Sequence, residues 1–113
     1  MTLPRPIPID LAEMIAERMH VIGDPNRIRI LDQLRDGELS VTELTSRLDT
    51  SQQNVSKHLG VLHGAGIVSR RREGNRVVYD IADESVFALC ETVCGGLPRQ
   101  LSELATLLSG ATR

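Results

Sequence analysis

Apolar residues recur at intervals of three and four along most of this chain, and the interruptions between the runs divide it into elements. Leu11, Met14, Ile15, Met19 and Ile22 form one stripe, which stops at Gly23, a residue suited to a helix end. Asp24 reads as the next N-cap, and Pro25 fits the first helical position, where its absent N–H would have no partner anyway. Ile28, Leu31 and Leu34 carry that second helix to Asp36-Gly37. Val41, Leu44 and Leu48 follow, break off at Asp49-Thr50-Ser51, and the period resumes as Val55, Leu59 and Leu62. Two short helices joined by a tight turn are predicted, the second over Gln52–Ala65 with Ser51 as its N-cap.

The pattern then changes. Glu38–Ser40 reads as a short strand, and β-favouring Val77, Val78, Tyr79 and Ile81 follow a turn at Glu73-Gly74-Asn75, which predicts a two-stranded hairpin that the short strand joins. From Asp83 a last helical stripe runs through Val86, Leu89, Cys90, Val93, Cys94, Leu97, Leu101, Leu104 and Leu108. Pro98 interrupts it by removing a hydrogen bond to the Cys94 carbonyl, with Gly95 and Gly96 weakening the same turn. Because the apolar phase survives, the expectation is one kinked helix or two nearly collinear ones. At the other end, Pro4, Pro6 and Pro8 favour an extended arm over residues 1–9, with Asp10 available as a cap.

Winding Gln52–Ala65 at about 3.6 residues per turn sets Val55, Leu59 and Leu62 on one side and Gln53, Asn54, Ser56, Lys57 and Gly60 on the other. Amides make paired hydrogen bonds to adenine, and a lysine reaches guanine or phosphate. A helix-turn-helix places the start of its second helix, here Ser51, Gln52 and Gln53 onward, in a major groove. A solvated polar face on an ordinary helical hairpin is the competing reading. The hairpin beyond it weighs against that, since its tip gathers Arg70, Arg71, Arg72, Asn75 and Arg76 around Glu73, a cluster suited to phosphates or a narrow minor groove.

The runs D-P-N-R-I-R-I-L at Asp24–Leu31, E-L-S-V-T-E-L at Glu38–Leu44, S-Q-Q-N-V-S-K-H-L at Ser51–Leu59 and the R-R-E-G-N-R-V-V-Y wing resemble the ArsR/SmtB family of winged helix-turn-helix repressors, over roughly Ile15 to Leu89. The resemblance implies a mainly α winged helix-turn-helix with a small β-hairpin wing. It also implies a homodimer, joined through the first and C-terminal helices, that reads an inverted-repeat operator in double-stranded DNA. Residues 83–108 are then the dimerisation helix of a single domain over 1–113. In that frame His58 is a structural residue of the recognition helix with one ring nitrogen near phosphate, while Arg27 and Arg29 are better read as solvated or acid-paired than as phosphate contacts.

Charge placement fits. The formal net charge is −2, but Met1–Thr50 carries −3, Ser51–Asp80 carries +3 and Ile81–Arg113 carries −2. With 113 residues and 2% aromatics, one domain with an aliphatic core is expected. No membrane span or secretion signal is visible, so the cytoplasm is the expected location and the two cysteines are expected reduced. No nucleophile motif, phosphate loop or zinc-protease signature supports an enzyme.

Members of the family respond to a transition-metal ion or an oxidant, so the implied sites can be checked against the residues. The C-x-C position before the third helix holds Ser40 and Thr42, poor ligands for soft metals. The position on the last helix keeps Asp83, but Ser85 and about Gly96 and Arg99 stand where the other ligands belong. Cys90 and Cys94 remain, one helical turn apart, either as a dithiol that senses a soft metal or a thiol-reactive signal, or as two small packed side chains. A chain with no effector site, acting as a DNA-binding or protein-interaction module under a partner protein's control, is the alternative.

Overall fold

The computed structural model describes residues 2–95 and 97–111, the side chains of residues 98, 99, 101, 110 and 111 excepted. Gly96 and the side chains of Arg99 and Leu101 therefore lie outside the described residues. Two compact units are present, Met1–Asp83 and Glu84–Arg113.

The first unit runs α1 (Ile9–Ile22), α2 (Pro25–Leu34), β1 (Leu39–Ser40), α3 (Val41–Leu48), α4 (Gln52–Gly64), β2 (Val68–Glu73) and β3 (Arg76–Ile81). The sheet order is β1-β3-β2, all antiparallel, with Leu39 opposite Tyr79 and Glu73 opposite Arg76. This is a winged helix-turn-helix. Ile30, Leu34, Leu44, Val55, Leu59, Leu62 and Ile67 are fully buried and form an aliphatic core in which α4 packs on α2, α3 and β2. With a further contact to α1, helix α4 is thus mounted on four elements and leaves one side free.

Each boundary has a local cause. Helix α1 starts at Ile9 with Pro8 as N-cap, so Asp10, expected as the cap, sits inside the first turn, where a negative charge favours the helix dipole. Gly23 ends it with its N–H on the Met19 carbonyl; a Cβ there would lie 2.9 Å from that oxygen, so crowding rather than a positive φ calls for glycine. The Asp24 carboxylate accepts from the N–H groups of Asn26 and Arg27, and Ser51 Oγ accepts from Asn54 N at 3.0 Å, as the two cap assignments predict. In the hairpin turn Gly74 takes φ +64 while Asn75 does not turn positive, the arrangement in which glycine is needed only at the first central position.

A capping box, absent from the sequence expectations, starts α3. Ser40 Oγ accepts from Glu43 N, and the Glu43 carboxylate accepts from Ser40 N, both at 3.1 Å. Hydrogen bonds from the Ser40 N–H and the Ser40 hydroxyl hold the Glu43 carboxyl below its usual value, with the charges of Arg76 and Arg47 adding to the effect. Partial burial opposes ionisation of Asp24, but the N–H groups of Arg27 and Asn26 and the charge of Arg27 outweigh it and lower that carboxyl too. Each folded value lies below that group's ordinary one, so these caps stabilise fully above the ordinary carboxylate values and their contribution is lost as pH falls through the lowered ones. Thermal melts are expected to drop steeply below about pH 4. A Glu43→Gln/Asp24→Asn variant should lose part of that acid dependence, and an unchanged slope would contradict it.

The second unit contains α5 (Ser85–Gly95) and α6 (Pro98–Ala111). The predicted last helix is split rather than kinked, with Leu97 N on the Cys94 carbonyl at 3.0 Å and Pro98 starting α6 at the position where proline is tolerated. Of the predicted stripe Val86 is buried, while Val93, Leu104 and Leu108 are 52–61% exposed.

Candidate nucleic-acid interface

Helix α4 presents Gln52, Gln53, Ser56 and Lys57 to solvent, and among the described residues none of these side chains is engaged in a hydrogen bond or ion pair. Ser51 is exposed, with its hydroxyl committed to the cap. Asn54 is half-buried and turned sideways, donating to Thr50 Oγ1 at 3.1 Å and Asn26 Oδ1 at 3.5 Å, so it braces the turn. His58, expected as a structural residue of the helix with one ring nitrogen near phosphate, is 5% exposed, with Nδ1 3.2 Å from Arg27 Nη1. The reason is periodic, because Val55, His58, Leu59 and Leu62 follow the i, i+3, i+4, i+7 pattern of an inward face.

Sorting the wing by partner separates its arginines into two pairs. Arg71 is bonded to Glu38 and lies 2.7 Å from Glu73, and these acids raise its already high pKa, the Glu38 hydrogen bond most. Arg76 reaches Glu43 at 2.7 Å. These two fasten the hairpin to the residue before β1 and to α3. Arg70 and Arg72, two apart on β2 and hence on one face of the strand, are exposed and form no ion pair among the described residues. Asn75 is exposed at the tip.

Residues 22–71 match the helix-turn-helix domain family. The HTH-type transcriptional repressor SmtB of Mycobacterium tuberculosis is 38% identical over 82 residues, 73% of this chain, and the aligned region spans 61% of that repressor's length. The HTH-type transcriptional regulator Rv0081 of the same species is 37% identical over 99 residues, 87% of each chain. The chain belongs to the ArsR/SmtB family. The crystal structure of Rv0081 superposes on this ArsR/SmtB protein with a TM-score of 0.71, covering 84% of this chain and 96% of that one at 38% identity. The homodimeric winged helix-turn-helix DNA-binding domain from Mycobacterium bovis does so at 0.68 with 32% identity, covering 77% and 83%.

The regulatory positions implied by the ArsR/SmtB resemblance are occupied by other chemistry. Ser40 spends its hydroxyl on the capping box, and the Asp83 carboxylate is paired with Arg18. Among the described residues no three His, Cys, Asp or Glu side chains come together to hold a metal ion. Cys90 is half-buried and Cys94 exposed.

Proposed function

We propose that this chain is a homodimeric, sequence-specific repressor acting in the cytoplasm on an inverted-repeat operator, reading bases with Gln52, Gln53, Ser56 and Lys57 and holding phosphates with Arg70 and Arg72. The carrying observation is that these side chains are exposed and uncommitted on an otherwise well-bonded scaffold. Ser51, Asn54, Arg71 and Arg76 shape the surface from behind, and Asn75 gives the wing its tip. The homodimer is supported by apolar surface the chain leaves uncovered: Met14 and Met19 on α1 are 70% and 54% exposed, and an open groove beside α1 sets Met14, Val21, Val61 and Ala65 among the charged Asp10, Glu13, Glu17 and Arg18. Selection from random duplexes is expected to return a palindrome, with half-sites about one DNA turn apart or a multiple of it. Recovery of no preferred sequence would favour a protein-interaction module.

A signal-responsive reading rests on Cys90 and Cys94, neither of which is buried in the chain. With no third ligand beside them among the described residues, a thiol-reactive signal suits the pair better than a metal held by one chain. Peroxide, arsenite or cadmium is expected to change operator affinity by about tenfold or more in the wild type, the usual range of allosteric coupling, and to leave a Cys90→Ser/Cys94→Ser variant unmoved. An identical response in both proteins would place the sensing outside these cysteines, and none in either would leave control to a partner protein.

A further inference from the structure

We propose that Arg27 is a positioning residue for base reading, which seats the recognition helix by joining the end of α1 to the buried ring of His58. The inference rests on the DNA-reading role of α4 proposed above.

Helix α1 leaves four carbonyls at its end without intrahelical partners. Gly23 N takes that of Met19 at 2.8 Å and Asp24 N takes that of Ile22 at 2.9 Å. The two that remain, from His20 and Val21, are both taken by Arg27, through Nη2 at 3.4 Å and Nε at 2.5 Å. The same guanidinium extends Nη1 to His58 Nδ1 at 3.2 Å. Arginine only donates, so Nδ1 accepts; the ring is neutral and carries its proton on Nε2. Asp24 Oδ1 lies 4.0 Å from that nitrogen but is engaged with Asn26 N and Arg27 N at the start of α2. The end of α1, the start of α2 and the middle of α4 therefore meet at one planar group.

Direction is what this junction adds. Val55, Leu59 and Leu62 keep α4 buried, but apolar contacts have little angular preference and resist exposure more than rotation. At about 100° per residue, a small turn of α4 carries Gln53 and Lys57 off the base edges they face. The polar contacts that fix its azimuth are Asn54 at the first turn, His58 in the middle and the Ala65 carbonyl, which accepts from Arg18 Nη1 at 3.0 Å, at the end. Only His58 is buried among them, and a lost partner there leaves a buried polar atom unpaired.

The test uses the full chain with its selected operator and a scrambled duplex. His58→Phe keeps the ring and removes the acceptor, Arg27→Lys keeps the charge and loses the fork, and His58→Asn returns an amide oxygen near the Nδ1 position. Operator affinity is expected to fall about tenfold or more in His58→Phe and Arg27→Lys, with the scrambled duplex changed less than about twofold, since phosphate contacts survive a rotated helix. His58→Asn should recover to within about threefold of wild type, and the double Arg27→Lys/His58→Phe should be no worse than either single change. Nitrogen NMR of the wild type should show His58 as the Nε2–H tautomer, a readout that stands even if His58→Phe does not fold. A proton on Nδ1, an undiminished operator-to-scrambled ratio in Arg27→Lys, or equal loss on both duplexes overturns the proposal. A wild type with no sequence preference at all would defeat the DNA-reading premise, a result distinguishable from preference retained by the variants.

Discussion

Replacing Arg70 and Arg72 together by alanine is expected to weaken binding to every duplex by about 10-fold to 100-fold near physiological salt, and to lower the salt slope by roughly one for each phosphate no longer neutralised. Both guanidinium groups are exposed without an acid partner among the described residues, so their removal breaks no internal bond and the fold should melt unchanged. Gln53→Ala should do the converse, costing about 1–3 kcal/mol of discrimination at one base pair while leaving the salt slope alone. Arg71→Ala should instead lower thermal stability, because Glu38 and Glu73 lose a shared partner. Titrations over a panel of duplexes at several salt concentrations, with a thermal melt of each variant, check all three, and indistinguishable profiles for Arg70→Ala/Arg72→Ala and Gln53→Ala would refute the division.

Placing a charge in the uncovered stripe of α6 should have a larger effect still. Leu104 and Leu108 are 52% and 61% exposed in the single chain, so Leu104→Glu/Leu108→Glu disturbs no core within it. If these residues face a second copy, each glutamate buries a charge against apolar surface and the dimer dissociates. Operator affinity should then drop by about 10²–10⁴, the advantage of binding two linked half-sites over one. Sedimentation should report a monomer with an unchanged helical spectrum. A variant that stays dimeric and binds as before would move the interface elsewhere.

Most of the architecture is legible because it is encoded locally. The Ser51 and Asp24 caps, the glycine turn and the break at Pro98 each depend on residues within a few positions of one another, and each stands where its chemistry requires. His58 is legible as a structural residue of α4, because its spacing from Val55 and Leu62 places it on the inward face. The Ser40–Glu43 box is likewise local, hidden behind the question of whether Ser40 could be a metal ligand. What no local pattern contains is the pairing of Arg71 with Glu38 and of Arg76 with Glu43, each 33 residues apart, or the convergence of Arg27 on His58 across 31. Composition alone makes the wing appear uniformly cationic, whereas half of its arginines are internally spent.

The wing's outer strand has a further consequence. With the order β1-β3-β2, β2 is a six-residue edge whose free backbone groups are open to pairing with another chain, while β1 at the opposite margin spans only two residues. Three consecutive arginines along that margin repel a like strand, a safeguard against edge-to-edge aggregation. Any variant that strips the wing of charge to probe nucleic-acid contacts therefore also removes a solubility guard, and turbidity should rise with concentration even where the melting temperature does not change.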